Sequence, residues 1–432
     1  MRKRLHEGLI LLSQTISLET SDRLGSGVAE LSAFRADDRP GWTREVFSEP
    51  YRASRDWTAA RMREAGLEVH VDAAGNIVGR LAGRVPSAPA LVTGSHTDTV
   101  DGGGRFDGIV GVLGSIEAAR LLQDSGRQLE RDLLVVDFLG EESNVFGLSC
   151  LGSRSAAQEM TREDLERRDY RGVSLGQAYT DFGLDPSRLS DVPWAKDPLH
   201  AFVELHIEQG PTLEKRGLPL GIVTAITGIE RFIATFAGSA GHAGTTSMED
   251  RRDAMVAAAE AVLAVRAEGC GAPTHGVATS TRVESESRSP NVVPSLVRMY
   301  SEVRSVDSSW LSGVKGRLTA DIAAKAADLG VDVGFEWSTD NTVVQADRGV
   351  QDVAGAAADA LGLPWMPIPS GATHDAVHMA SLAPMGMIFI PSKNGKSHCP
   401  EEFSSTDDIA VGVHALVATL RHLDGADTHT SA

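Results

Sequence analysis

Between Leu91 and Val112 the chain reads LVTGSHTDTVDGGGRFDGIVGV, placing one imidazole, His96, and two carboxylates, Asp98 and Asp107, among glycines. The apolar start gives way to Gly94-Ser95, as a buried strand gives way to a loop, and the small apolar residues after Gly108 suit a helix packed on a sheet. Glycines let the backbone turn tightly there, and sites in α/β proteins form outside the carboxyl ends of strands. Alone, the stretch would pass for a glycine-rich turn with surface acids. Downstream, however, Glu141-Glu142 ends the most apolar strand in the chain (132–139), His206 ends another (201–206), and His398 follows a third (385–390).

Imidazoles and carboxylates without cysteine suit divalent ions such as Zn, Mn, Co or Ni. A two-metal site needs one group between the ions, and Asp107 is the loop carboxylate placed to bridge. His96 and His206 then serve one ion, Glu142 and His398 the other. Successive residues at a strand end point in different directions. Glu142 is therefore read as a ligand and Glu141 as the base that takes a proton from water and passes it to a leaving nitrogen. Asp98, two residues after His96, is placed to accept the free ring N–H of that histidine.

The elements that must position these residues alternate. Helical spacing covers 4–19 and 51–66, a hairpin spans 68–80, and a strand at 90–93 leads to a helix at 110–124; residues 155–195 read as polar helical turns. Strands interleaved with helices predict α/β with a mixed, largely parallel sheet. From about Leu218 the texture changes to long alternating strands (221–227, 231–236, 277–285, 296–303, 331–337) with helices at 251–268 and 308–329, a β-α-β-β-α-β pattern. The α/β texture returns with helices at 350–361 and 407–423. The reading is a catalytic domain split in sequence, 1–213 and 339–432, carrying an inserted α+β domain at 214–338.

The chain has 432 residues, long enough for two domains, and a formal net charge of −18. That charge argues against nucleic acid or an anionic membrane as partner, and no apolar run is long enough to span a bilayer. Three distant cysteines, Cys150, Cys270 and Cys399, make no disulfide framework and point to a reduced, cytoplasmic setting. The N-terminal GLILL patch, with no cleavage site following it, reads as part of an amphipathic helix, not a signal peptide.

Taken together, Gly94-Ser95-His96-Thr97-Asp98, Gly102 to Gly108, Gly140-Glu141-Glu142, His206-Ile207-Glu208-Gln209-Gly210-Pro211, Gly241-His242-Ala243-Gly244-Thr245-Thr246, Asn291-Val292-Val293-Pro294, Ser370 to Ala376 and Ser397-His398 run in order along nearly the whole chain. They resemble the amidohydrolase branch of the zinc aminoacylase/carboxypeptidase superfamily, which holds metal-dependent N-carbamoyl-L-amino acid hydrolases, allantoate amidohydrolases and β-ureidopropionases. The resemblance implies a two-metal catalytic domain, an inserted lid or dimerisation domain, and a homodimer. It implies that His96, Asp107, Glu142, His206 and His398 are ligands and Glu141 the catalytic carboxylate. The chain departs from that pattern at Ser143-Asn144-Val145, where many carbamoylases carry a Gly and an Arg, and at Glu302, Thr373 and Cys399.

The same resemblance makes His242 a donor to the oxyanion of a tetrahedral intermediate, acting from the partner subunit. Asn291 and Arg304 are expected to bind substrate, the planar Arg304 fork suiting a carboxylate. Gln209 is expected to hydrogen-bond a ureido group, and Gly371 and Ala372 to offer backbone N–H groups. The expected activity is hydrolysis of a linear C–N bond in a small carboxylate-bearing substrate, N-carbamoyl-L-amino acid first. Allantoate amidohydrolase, β-ureidopropionase, and aminoacylase or peptidase activities stay open beside it.

Overall fold

The computed structural model describes residues 18–192, 194 and 198–425, so most of the helix expected over 4–19 lies outside the described residues. The chain divides into two compact units: Met1–Thr224 with Ala346–Ile368 and His374–Ala432, and Ala225–Gln345 with Pro369–Thr373.

The first unit is built on a mixed sheet in the order Glu68–Val71, Ile77–Leu81, Leu133–Phe138, Ala90–His96, Leu199–Ile207, Met385–Ile390 and Leu220–Ile226. Ala90–His96 runs parallel to both Leu133–Phe138 and Leu199–Ile207, and Leu199–Ile207 runs parallel to Met385–Ile390. The flanking pairings are antiparallel. The four parallel strands are nearly continuous apolar sequence, as strands covered on both faces must be. Their side chains enter one core with the helices Ile109–Asp124 and Thr406–Asp424, through residues such as Val110, Leu205, Ile390 and Val413. The Glu49–Glu64 helix starts at Ser48, whose hydroxyl accepts the Tyr51 N–H, a normal N-cap.

The second unit is a four-stranded antiparallel sheet in the order Asp332–Asn341, Gly228–Ala237, Leu296–Ser305 and Val277–Ser285. With the helices Ala254–Cys270 and Ser308–Asp328 its chain order is β-α-β-β-α-β. The alanines of the first helix (Ala257, Ala258, Ala261) and Leu318 and Ile322 of the second pack on Phe232, Phe236 and Met299. A short ladder pairs Val292–Val293 with Gly241–His242.

The insert expected at 214–338 is displaced at both ends. Leu220–Ile226 pairs with Met385–Ile390, so its first residues belong to the large sheet. At the other end Asp332–Asn341 runs past 338 because its ladder on Gly228–Ala237 continues to Asn341. The expected strand at 90–93 continues to His96, which makes that residue the end of the strand itself.

Candidate two-metal site

The residues expected to do chemistry in the first unit converge at the carboxyl ends of the four parallel strands. His96 closes Ala90–His96, His206 is next to last in Leu199–Ile207, Glu141-Glu142 follows Leu133–Phe138, and His398 lies eight residues beyond Met385–Ile390. Asp107 sits in the loop entering the Ile109–Asp124 helix. Gly108 there has φ 67°, and a Cβ at that position would collide with the His96 ring. Only glycine lets this loop close over the strand end.

Among the described residues, His96, Asp107 and His206 form one group able to hold a cation, and Asp107, Glu142 and His398 another. Asp107 Oδ1 lies 3.1 Å from His206 Nε2 and 3.8 Å from His96 Nε2. Its Oδ2 lies 3.3 Å from His398 Nε2, which is 3.6 Å from Glu142 Oε1. The two carboxylate oxygens of Asp107 thus face different histidines, as a bridging group would. A third group, Glu204, His206 and His374, lies beside the first, with the His206 and His374 ring centroids 4.5 Å apart.

The hydrogen bonds of the two buried rings set their tautomers. His206 Nδ1 donates to Ile207 O at 2.9 Å, while Nε2 accepts the Gly108 N–H at 3.1 Å. His96 Nδ1 donates to the Asp98 carbonyl at 3.2 Å, leaving its Nε2 facing Asp107 and, at 3.6 Å, Glu141 Oε2. Lone pairs aimed at buried carboxylates repel unless a proton or a cation lies between them. The donor set therefore fits divalent ions: hard and borderline oxygen and nitrogen ligands, no thiolate, and excess negative charge.

The electrostatics express the same strain. Burial, with Glu142 and Asp375 close by, pushes the Glu141 carboxyl well above the usual range against the pull of His96. Burial also raises Glu142, to about 7, with His398 opposing. Burial works against ionised Asp107, but His206 and His398 outweigh it and hold its carboxyl well below the usual range. His398 is raised to about 9, chiefly by its hydrogen bond to Asp107.

Asp98 does more than the sequence suggested. Its carboxylate accepts the backbone N–H groups of Glu141 and Glu142 at 3.1 Å each, fixing the turn that carries the acid pair. Its Oδ1 is 3.5 Å from His96 Nδ1, whose closer partner is the Asp98 carbonyl. Gln209 gives its side-chain N–H to Asp107 Oδ2 at 2.6 Å, and its own Oε1 is buried with no hydrogen-bond partner. Three groups were missed in the sequence. Cys150 Sγ donates to Glu141 Oε1 at 3.6 Å. Ser397 Oγ lies 2.6 Å from Asp107 Oδ2. Glu402 is buried against the loops of Asp107 and His398. The signal for Glu402 was a second adjacent acid pair, Glu401-Glu402, just after a histidine. Asn144, at the departure from the carbamoylase pattern, closes its own turn through Leu148 O and the Phe146 N–H.

The remaining expected residues lie in the second unit. The His242 ring is exposed and accepts the Gly244 N–H at Nδ1, 3.1 Å, which puts the proton of the neutral ring on Nε2. Asn291 is exposed, and its carbonyl accepts the Ala243 N–H at 2.9 Å. Arg304 Nε donates to Glu302 Oε1 at 2.8 Å and Nη1 to Gly371 O at 3.1 Å. Gly371 therefore contributes a carbonyl here, and the Ala372 N–H goes to Ser370 Oγ at 3.1 Å instead of standing ready for a ligand.

Residues 86–422 match the model of peptidase family M20/M25/M40. The chain is similar to the N-carbamoyl-L-amino acid amidohydrolase of Geobacillus stearothermophilus, 37% identical over 406 residues, or 93% of this chain and 98% of that one. It is also 37% identical to a ureidoglycolate hydrolase of Oryza sativa subsp. japonica, over 93% of this chain and 84% of that one. Among solved structures, an amidase of the hydantoinase/carbamoylase family from Burkholderia multivorans superposes with a TM-score of 0.84 at 35% identity, covering 93% and 97% of the two chains.

Proposed function

The chain belongs to peptidase family M20/M25/M40, and on that premise we propose that it hydrolyses the ureido C–N bond of an N-carbamoyl-L-amino acid or a closely related ureido acid. It is a hydrolase of linear C–N bonds. The observation that carries the reading is the pair of ligand groups sharing Asp107, with the buried Glu141 carboxylate beside them. His96, Asp107, Glu142, His206 and His398 would hold two divalent ions per subunit, Zn, Mn, Co or Ni, which would supply Lewis acidity toward the scissile carbonyl and ease deprotonation of water.

The chain's own groups do the rest. Glu141 takes the proton of the attacking water and returns it to the leaving nitrogen. Asp98 and the Cys150 thiol hold it in place. The orphaned Gln209 Oε1 accepts an N–H of the ureido group, relieving a buried unpaired acceptor. Arg304, oriented by Glu302 and Gly371, offers its remaining N–H edge to the substrate carboxylate, and Asn291 is a second polar contact to the substrate. His242 donates Nε2–H to the oxyanion. We read the second unit, proposed as the insert, as a lid that also builds a homodimer and brings His242 to the partner's site. The exposed Val277–Ser285 edge strand, which needs pairing or cover, supports this. Three cysteines without a disulfide support a cytoplasmic setting, and among the described residues no helix is long and apolar enough to cross a membrane.

Ureidoglycolate hydrolysis is the second reading, because the rice enzyme is as similar as the carbamoylase and its substrate offers the same ureido group next to a carboxylate. Ammonia release tested over N-carbamoyl-L-amino acids, ureidoglycolate, allantoate and β-ureidopropionate, with free amino acid release tested over dipeptides, decides between them. Turnover is expected to vanish on exhaustive chelation and return with Mn, Co, Ni or Zn. Full turnover by metal-free protein would exclude the mechanism, and cleavage of dipeptides alone would exclude the substrate class.

A further inference from the structure

Glu402 lies almost wholly buried on the turn after His398, and four donors surround its carboxylate. Oε1 accepts the backbone N–H of Phe106 at 2.8 Å and of Asp107 at 3.1 Å. Oε2 accepts the N–H of His398 at 3.3 Å and lies 2.9 Å from the Ser397 hydroxyl. That hydroxyl sits between two acids, 2.6 Å from Asp107 Oδ2, with a single proton to give to either. Charged acceptors make the stronger hydrogen bonds, so an ionised Glu402 ties the two segments firmly. The Asp107 loop approaches close enough to do this because position 104 is glycine: a Cβ there would collide with the Glu402 carboxylate. The rings of Phe106 and Phe403 meet edge to face over the same junction, 5.4 Å between centroids.

The two segments tied together are nearly three hundred residues apart in sequence, and each delivers one member of the group formed by Asp107, Glu142 and His398. Among the described residues, no other side chain bonds to the backbone of both ligand positions. We propose that Glu402 is the positioning residue that sets the Asp107–His398 spacing, and so sets how tightly the ion between them is held. It touches neither substrate nor ion: it acts through the two backbones. The alternative is a purely structural staple, whose loss lowers folding stability and leaves ion affinity alone.

This inference rests on the two-ion reading above, and the experiment separates the two. Wild type, Glu402→Gln and Glu402→Ala are made metal-free and dialysed against a series of free Mn²⁺ concentrations, with bound metal counted. Melting temperatures of the metal-free proteins are measured alongside. Gln keeps the shape and the Oε1 acceptor but sets an N–H against the His398 N–H. The expected result is at most a small drop in the metal-free melting temperature for Glu402→Gln, with one of the two ions bound about 10–100-fold more weakly. Saturating Mn²⁺ should then return kcat toward that of wild type. Unchanged ion affinity in both variants overturns the role, as does a Glu402→Gln protein that is destabilised when metal-free yet binds both ions normally. A wild type that binds no Mn²⁺ overturns the two-ion reading itself, and this inference with it.

Discussion

In the first unit His96 and His206 at strand ends and Asp107 on a loop are buried and meet through atoms 3.1–3.8 Å apart. In the second unit His242 and Asn291 stand exposed, held through the backbone of a short loop. The first set cannot be left unpaired, because buried charge without a partner is expensive. It must therefore be built in advance and supported by Asp98, Gln209 and Glu402. The second set is satisfied by water and so can wait for a substrate. Arg304 stands between the extremes: half-buried, with two of its faces already committed to Glu302 and Gly371. On the proposed mechanism, the contrast divides groups that would activate water from groups that would read the substrate.

The strongest way to break that division is Glu141→Gln. Full metal content is expected, with kcat reduced on the order of 10²–10⁴-fold. Metal analysis beside the kinetics checks it, and a variant inactive only because its ions are gone would move Glu141 into the ligand set. Next in size is Arg304. Arg304→Ala is expected to lose roughly 2–5 kcal/mol in kcat/KM, and Arg304→Lys should not recover it, since an ammonium cannot reproduce the fork. Comparing carboxylate and carboxamide forms of the best substrate gives the check: a variant that keeps the wild-type preference for the acid removes Arg304 as anchor. His242→Ala should lower kcat by about 10²–10³-fold, as loss of an oxyanion donor does. Mixing His242→Ala with Glu141→Gln subunits should restore activity if the ring serves the partner's site, and no recovery after confirmed subunit exchange places it in cis. The smallest effect is expected at Asp98→Asn, about 10–100-fold in metal affinity or rate, because the amide still accepts one of the two N–H bonds of the Glu141-Glu142 turn. Chelator titration measures it, and unchanged affinity together with an unchanged rate would make Asp98 incidental.

The part of the fold that carries the acids was legible because parallel strands buried on both faces are written as unbroken apolar runs, and the residues just past such a run fall at the site edge. That rule located His96, Glu141, Glu142 and His206 without any contact being known. It failed where texture does not mark a boundary. Leu220–Ile226 and Gly228–Ala237 succeed one another with a single residue between them and read as one insert, though the first pairs with Met385–Ile390 and the second with Leu296–Ser305. Trp365–Ser370 was missed because Pro367 and Pro369 argue against a strand, yet it pairs beside Leu220–Ile226. Glu402 was passed over for a different reason: the acid pair Glu401-Glu402 does not name its partners, which are mostly backbone N–H groups that every sequence contains.

His398 differs from the other histidines of its site in one respect. Its side chain is 48% exposed, at a positive φ of 56° on a turn, while His96 and His206 are at most 1% exposed within strands. The two ion positions therefore stand at different distances from bulk water. With two ions bound as proposed, exchange with solution would proceed through the His398 side, and the ion shared by His398 and Glu142 would load last and leave first. Partial chelation should then yield protein with one ion still in place, and a second element supplied at that stage should give a mixed-metal enzyme with each element at a known position.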